Sequence, residues 1–215
     1  MTTRWSIAGG VGGVLLAAGL LSAGLVGGCA SEQHPYFAAS MNKQFHEEAM
    51  HDKQIAEQAE DEQNWDKAID YNKQALRLEP DMGAAWNNLG QDLMKRGQAQ
   101  DFVDAAQALK QAADLLPTDD RPYLNLGVLY HERGFSEEAL RYFGLALERN
   151  PNRLESLRGA IASAKKLNKA DDAGLARVNR ALMMETDAHW RQIMEFERMR
   201  IQQELADRGK TATGA

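Results

Sequence analysis

Cysteine is almost missing from this chain of 215 residues, which contains only Cys29. A single thiol excludes an intrachain disulfide and any metal site built from several thiolates. Basic residues form no long run and the formal net charge is −6. No nucleic-acid partner is therefore expected, because phosphate binding needs clustered cations.

The motifs that usually carry chemistry are also lacking. His46 and His51 flank two glutamates but lie five residues apart. On a helix this spacing turns them about 140° from each other, so they cannot share a metal ion. No phosphate-binding loop, dinucleotide fingerprint or serine-nucleophile motif occurs in the sequence. Neither an enzyme nor a cofactor is therefore expected.

Glycine, by contrast, is concentrated at the start, where eight of the 18 glycines lie within the first 28 residues. No charged residue occurs between Trp5 and Ala30, and Arg4 is the only charge before them. A basic start, an apolar run and small residues are typical of an export signal. Residues 25–29, Leu-Val-Gly-Gly-Cys, resemble the lipobox of bacterial lipoproteins. This resemblance implies cleavage before Cys29 and attachment of lipid to its thiol.

An uncleaved membrane helix is the alternative for the same segment, since its uncharged length could cross ~30 Å of hydrocarbon. Both interpretations leave Arg4 inside and everything after Ala30 outside the cytoplasm. Residues 1–28 are thus predicted to be a signal peptide or a membrane helix, and residues 29–40 a linker. The expected location is extracytoplasmic and membrane-anchored, with the outer membrane or the periplasmic side favoured in a Gram-negative source.

An internal repeat organises the remainder of the chain. Trp86-Asn87-Asn88-Leu89-Gly90 is echoed 37 residues later by Tyr123-Leu124-Asn125-Leu126-Gly127. Alanines 68, 105 and 139, and prolines 80, 117 and 151, are both spaced by 37 and then 34 residues. This pattern resembles the tetratricopeptide repeat (TPR), a helix–turn–helix unit of 34 residues. The positions that carry the resemblance are Trp86, Leu89, Gly90, Ala105, Pro117, Tyr123, Leu126, Gly127, Ala139 and Pro151.

The resemblance implies an all-α solenoid with three to four repeats inside an array over residues 41–188. The repeats are expected at about 49–82, 83–119, 120–153 and 154–188. Gly90 and Gly127 are predicted to lie where two helices cross closely, so a large residue there should unfold the array. Each proline is expected to end the second helix of its unit, because it lacks an N–H and clashes with the preceding turn. Stacking of the units supplies the core.

Additional helices are predicted at both ends. An extra N-terminal helix begins near Ser40, with Met41, Phe45 and Ala49 on one stripe. A capping helix is expected over residues 189–208, followed by a disordered tail over 209–215. The predicted apolar stripe of the capping helix contains Trp190, Ile193, Met194, Ile201 and Leu205. Phe196 and Met199 fall outside this stripe, either as a second contact face or as isolated exposed residues.

The resemblance also implies a partner-binding groove on the concave face, lined by the first helix of each unit. The candidate groove residues are Lys53, Asn87, Asn88, Gln91, Arg121, Asn125, His131, Arg158, Lys165 and Lys166. Some family members clamp a peptide carboxylate there. Lys53, Asn88 and Arg121 match that clamp in part, but Glu57 and Asn125 depart from it.

Charge changes sign along the expected groove. Residues 29–80 contain 11 acidic and five basic side chains, whereas residues 154–186 contain four acidic and six basic ones. Such a gradient would orient a peptide of opposite gradient, although it also fits ordinary solvation of exposed faces. The predicted function is a membrane-anchored TPR adaptor or scaffold that binds an envelope protein or peptide, in the assembly of envelope complexes. The alternative is a structural homo-oligomer on the membrane surface that uses the face of the C-terminal helix.

Overall fold

The computed structural model describes residues 35–212, with side chains for residues 41–211. This part of the chain contains helices and no strand, so the all-α prediction is confirmed. The helices are α1 (Pro35–Asp61), α2 (Trp65–Leu78), α3 (Gly83–Arg96), α4 (Asp101–Leu115), α5 (Arg121–Glu132), α6 (Ser136–Arg149), α7 (Leu154–Lys166), α8 (Asp172–Met184) and α9 (Ala188–Ala212). Cys29 and the segment predicted over residues 1–28 lie outside the described residues.

The helices pack as four consecutive pairs, α1/α2, α3/α4, α5/α6 and α7/α8, and each pair stacks on the next. Helix α9 covers the end of the array by packing against α8 and α7. Each pair supplies a first and a second helix, as the repeat pattern predicts. Because one pair alone cannot bury its apolar face, the core lies between neighbouring pairs and runs along the whole stack.

Two glycines set the close crossings in the middle pairs. A Cβ added at Gly90 would lie 2.5 Å from Leu109 Cγ, and one at Gly127 would lie 2.6 Å from Phe143 Cδ1. The facing alanines, Ala105 and Ala139, are fully buried. The helices can approach this closely only because the first has no side chain at the crossing.

The fourth pair lacks this device. Ile161 stands 34 residues after Gly127, at the position where a glycine would be expected. Helices α7 and α8 accordingly pack less closely than the helices of the first three pairs. The bulk of a β-branched side chain at the crossing accounts for the difference.

The second pair contains three extra residues between its helices. Gly97 ends α3 in the left-handed conformation, with φ of 71°, and the following turn leads to Asp101. The Asp101 carboxylate is buried, accepts the Gln98 N–H at 2.9 Å and binds the Arg96 guanidinium at 2.6 and 2.9 Å. The insertion is therefore held by a specific polar cluster.

Both ends differ in detail from the expectation. The extra N-terminal helix and the first helix of the first repeat are one continuous helix, α1, because no glycine or proline interrupts residues 40–61. This helix begins at Pro35, inside the segment predicted as a linker. At the other end, α9 continues to Ala212, so the predicted disorder is wrong for residues 209–212. Within this extension, Thr211 Oγ1 donates to the Arg208 carbonyl at 2.8 Å.

No helix within residues 35–212 combines the length and the apolar character needed to cross a membrane.

Candidate partner-binding face

The first helices of successive pairs form one layer of the molecule. Helix α3 contacts α5, α5 contacts α7 and α7 contacts α9, whereas the second helices make no comparable contacts with one another. The array therefore curves with its first helices on the inside. We call the surface of α1, α3, α5 and α7 on this side the inner face. It is the surface to which the sequence assigned the candidate groove residues.

Asparagine side chains join the middle of the inner face. Asn125 Nδ2 on α5 donates to Asn87 Oδ1 on α3 at 2.9 Å, and Asn87 is buried. Asn88 and Gln91, also on α3, are half-buried. Asn87 and Asn125 thus fix the two helices relative to each other, while Asn88 and Gln91 keep amide groups accessible.

The next junction, between α5 and α7, contains a histidine. His131 Nδ1 lies 2.8 Å from Ser163 Oγ. Burial lowers the pKa of His131, and the nearby Lys166 ammonium lowers it further. Lys166 itself is exposed and forms no ion pair with the described residues. The basic end of the inner face therefore presents a lysine that is free to meet an anion.

Two other candidate cations are already paired. Arg158 forms two hydrogen bonds to the buried Glu185, at 2.6 and 2.7 Å, and its guanidinium lies over the Trp190 ring at 5.1 Å. Lys165 Nζ lies 3.6 Å from Glu197, a buried residue of α9. The Arg158 charge thus holds the end of α8 against α7, and the assignment of Arg158 to the partner-binding groove stays a prediction.

The partial carboxylate clamp is not assembled. Lys53 is bound by Glu57, one turn along α1. Arg121 binds Asp119 in the turn before α5, with Nε 2.9 Å from Oδ2. This contact lowers the pKa of Asp119 and raises that of Arg121. Each cation of the expected clamp therefore already faces a carboxylate of this chain.

A buried acidic cluster lies between the first two pairs, and sequence analysis did not find it. Asn72 Nδ2 on α2 donates to Asp92 Oδ2 on α3 at 2.9 Å, and both residues are buried. Glu60 on α1 belongs to the same cluster, and its Oε1 atom is buried without a hydrogen-bond partner among the described residues. Burial raises the pKa of Asp92 to about 7, with a further contribution from the Glu60 charge. The signal available in the sequence was Asp92 itself, a polar residue at a core position of α3. Its partners could not be read from the sequence, because they lie on other helices.

Residues 41–211 contain no group of three or more histidine, cysteine, aspartate or glutamate side chains placed to hold a metal ion. His46, one of the two histidines near the start of α1, instead meets Glu79 at the end of α2, with Nδ1 2.9 Å from Oε2. His51 is exposed.

This chain is similar to known repeat proteins in sequence and in fold. A family model described as tetratricopeptide repeat matches residues 98–164. The fold is a tetratricopeptide-like solenoid. The TPR model covers the second helix of pair two, the whole of pair three and the first helix of pair four. The matched residues include Gly127, at the crossing of α5 and α6, and Asn125, which hydrogen-bonds Asn87 on the inner face.

One curated relative is the peroxisomal targeting signal receptor of Candida albicans, which is 36% identical over 80 residues. This match covers 37% of the present chain and only 13% of the receptor.

Two solved TPR structures resemble this protein over larger shares of its chain. The YrrB structure, described as a TPR protein with an unusual peptide-binding site, has a TM-score of 0.57 and 19% identity over 68% of this chain and 74% of YrrB. The first TPR of Spaghetti (RPAP3), bound to the HSP90 peptide SRMEEVD, has a TM-score of 0.54 and 18% identity. That match covers 58% of this chain and 96% of the Spaghetti domain.

Proposed function

We propose that this protein is a TPR adaptor that holds a protein or peptide partner on its inner face and performs no chemistry of its own. The observation that carries the proposal is the row of accessible polar side chains on that face, in Asn88, Gln91 and Lys166. Asn88 and Gln91 lie between an acidic first pair and the basic fourth pair that carries Lys166, so a partner with the opposite charge gradient would bind in one orientation. Peptide complexes of TPR proteins such as Spaghetti support this assignment.

Photo-crosslinking tests the position of the partner. The residue p-benzoylphenylalanine placed at Gln91 should form an adduct with a partner when native membranes are irradiated. The same residue at Gln111, an exposed position on the second helix α4, should form none. Adducts that appear at Gln111 and not at Gln91 would refute an inner-face site.

Charge reversal tests the contribution of the basic end. Lys166→Glu should release the partner captured at Gln91, because it replaces an unpaired cation with an anion. Lys110→Glu, an identical change at an exposed position on α4, should retain it. We prefer Lys166 to Arg158 here, since reversing Arg158 would place a second carboxylate beside the buried Glu185.

We further propose that Cys29 anchors the adaptor to a membrane of the bacterial envelope through attached lipid. The lipobox-like segment ending at Cys29 supports this part of the proposal. Mass spectrometry of the membrane fraction should then find Cys29 as a lipidated N-terminus. Cys29→Ser should abolish the modification, and Ser31→Ala should leave it unchanged. An intact peptide spanning residues 1–30 in the mature protein would instead favour an uncleaved membrane helix.

A second candidate function is a homo-oligomer on the membrane surface. Phe196 and Met199 on α9 favour it, because 59% and 52% of their surfaces are exposed and both point away from the array. Light scattering coupled to size exclusion would detect the assembly, and Phe196→Ser with Met199→Ser should dissociate it. A strict monomer at all concentrations would exclude this candidate.

A further inference from the structure

A second concave region lies on the outer side of the molecule, away from the inner face. It is a crevice of about 880 Å³ between α6 and the turn that joins α7 to α8, with Arg208 of α9 at its rim. We call it the α6–α8 crevice. It adjoins the fourth pair, whose helices pack less closely because Ile161 replaces a glycine.

An underpaired arginine lies in this crevice. Only 21% of the Arg177 side chain is exposed, and Arg177 donates no hydrogen bond to any described residue. Its carboxylate contact is Asp171, at 3.7 Å. Asp171 is already engaged, because it accepts the Gly174 N–H at 2.6 Å and lies 3.3 Å from Lys169 Nζ.

The other buried arginines of the fourth pair and the cap are compensated. Arg158 has two short contacts with Glu185, while Arg200 meets both Glu197 and Glu204. These contacts raise the pKa of Arg158 and Arg200, whereas burial lowers the pKa of Arg177. A desolvated cation without a matched partner is costly, so an anion brought to Arg177 would gain more than one brought to a paired arginine.

Further cations surround Arg177. The crevice is also lined by three other cations, Lys169, Arg141 and Arg208. Its lining contains three carboxylates, those of Asp171, Glu137 and Glu148. Arg141 has no carboxylate partner among the described residues and lies over the Tyr142 ring at 4.3 Å. The lining therefore carries one more positive than negative charge, and two of its arginines are without a short ion pair.

The floor of the crevice is smooth and partly apolar. Gly144 lies in the middle of α6, and a Cβ added there would meet nothing within 4 Å. Unlike Gly127, it is not required by a neighbouring helix, although glycine inside a helix costs about 1 kcal/mol relative to alanine. Leu140, one turn before Gly144 on α6, and Leu167, in the turn after α7, also line the crevice.

We propose that the α6–α8 crevice binds a short acidic peptide segment, with a carboxylate on Arg177 and an apolar side chain between Leu140 and Leu167. A carboxylate complements the underpaired guanidinium, since charge-assisted pairs of this kind are the strong ones. The apolar walls and the volume exceed what a small inorganic anion would fill. This second site would let one adaptor hold two partners, or two segments of one partner, on opposite sides.

Selection from a phage-displayed library of random decapeptides, on the full chain in detergent, tests the proposal. Selected sequences should be rich in Glu or Asp next to an apolar residue. Synthetic copies of these peptides should bind at least about tenfold more weakly to Arg177→Gln, which removes the charge, and to Gly144→Trp, which fills the crevice. Replacing Glu by Gln in the peptide should cause a similar loss.

Matched variants separate this site from its neighbours and from the inner face. Arg180→Gln alters an exposed arginine on the same helix, and Gly144→Ala adds only a methyl group, so both should retain binding. Lys166→Glu should also retain it. Peptides lost on Lys166→Glu alone, or a selection that yields no peptide dependent on Arg177, would overturn the crevice site. Displacement of the peptide by inorganic phosphate at equal concentration would overturn the peptide assignment in favour of a small-anion site.

Discussion

The two middle pairs, α3–α6, and the C-terminal part, α7–α9, build the same stacked arrangement by different means. In the middle pairs, Gly90 and Gly127 allow close crossings over Leu109 and Phe143. In the C-terminal part, a bulky Ile161 stands at the crossing position and buried charges connect the helices. The charged connections are Arg158–Glu185 and Lys165–Glu197, and Arg200 on α9 donates to the Lys169 carbonyl in the turn before α8.

The difference shows that glycine crossings set the packing of the middle pairs, whereas buried ion pairs add to apolar packing in the C-terminal part. Close packing of apolar groups depends little on salt and tolerates almost no added volume. Buried ion pairs tolerate looser geometry but become strongly destabilising when one partner is lost. The C-terminal part is therefore the region where local opening, an additional crevice and sensitivity to charge changes are expected.

The largest effect should come from blocking a crossing. Gly127→Leu would force a side chain into the Phe143 ring, where even a Cβ would lie 2.6 Å from Cδ1. We expect a loss of about 3 kcal/mol or more in the free energy of unfolding, because the two backbones must separate. Urea denaturation followed by circular dichroism measures it.

Gly144→Leu is the matched control, since it makes the same change on α6 in open space. It should leave the unfolding midpoint unchanged or slightly higher, because leucine has a higher helix propensity than glycine. Equal midpoints for the two variants would refute the view that shape fixes the middle pairs.

The next effect should come from removing one charge of the C-terminal part. Arg158→Met leaves the buried Glu185 carboxylate without its guanidinium, at an expected loss of about 2 kcal/mol. Hydrogen exchange should quicken in α8 and α9 while protection in α3–α6 is kept. Arg121→Met breaks the exposed pair with Asp119 and should cost less than about 1 kcal/mol. Uniform loss of protection along the array would contradict a separate electrostatic region.

Sequence patterns predicted the apolar framework well, because it is periodic. The 37- and 34-residue spacings located the helix pairs, and the glycine and alanine positions located the crossings. The charged connections followed no such period. Arg158 and Glu185 are 27 residues apart on different helices, so Arg158 looked like an open groove residue. Its role depends on how the turn before α9 folds back.

The same reason explains the other omissions. Asp92 gave a signal, as an acid among core positions, but its partners Glu60 and Asn72 lie on two other helices. The α6–α8 crevice is lined by residues of α6, α8, α9 and the turn between α7 and α8, which no single repeat contains. Of the candidate inner-face residues, the structure places Asn88, Gln91 and Lys166 in accessible positions and uses most of the charged ones internally.

A buried acid also lies in the middle pairs, where Asp92 on α3 accepts a hydrogen bond from Asn72 on α2. Burial raises the pKa of Asp92 to about 7, whereas an unfolded aspartate has a pKa near 3.8. The folded state therefore keeps a proton that the unfolded state releases, and this contribution to stability is lost as the pH rises from about 4 to about 7. The raised pKa of Glu60 acts in the same direction.

Asp92→Asn should remove this dependence. We expect the variant to be more stable than the native protein by about 1–2 kcal/mol above pH 7, with the difference shrinking towards pH 4. Thermal melts across this range measure it, and Asp70→Asn, at an exposed position of α2, is the control. A native protein that gains stability from pH 5 to pH 7 relative to Asp92→Asn would contradict the assignment.

The smallest effect distinguishes a glycine kept for packing from one that packing does not require. Gly144→Ala should stabilise the protein by about 0.5–1 kcal/mol, because the helix gains propensity and the added methyl group meets open space. Gly127→Ala, the same change at a crossing, should instead destabilise it. If Gly144→Ala were destabilising, the outer surface of α6 would be more closely packed than its geometry indicates. A stabilising result would show that glycine at position 144 lowers stability without a packing reason.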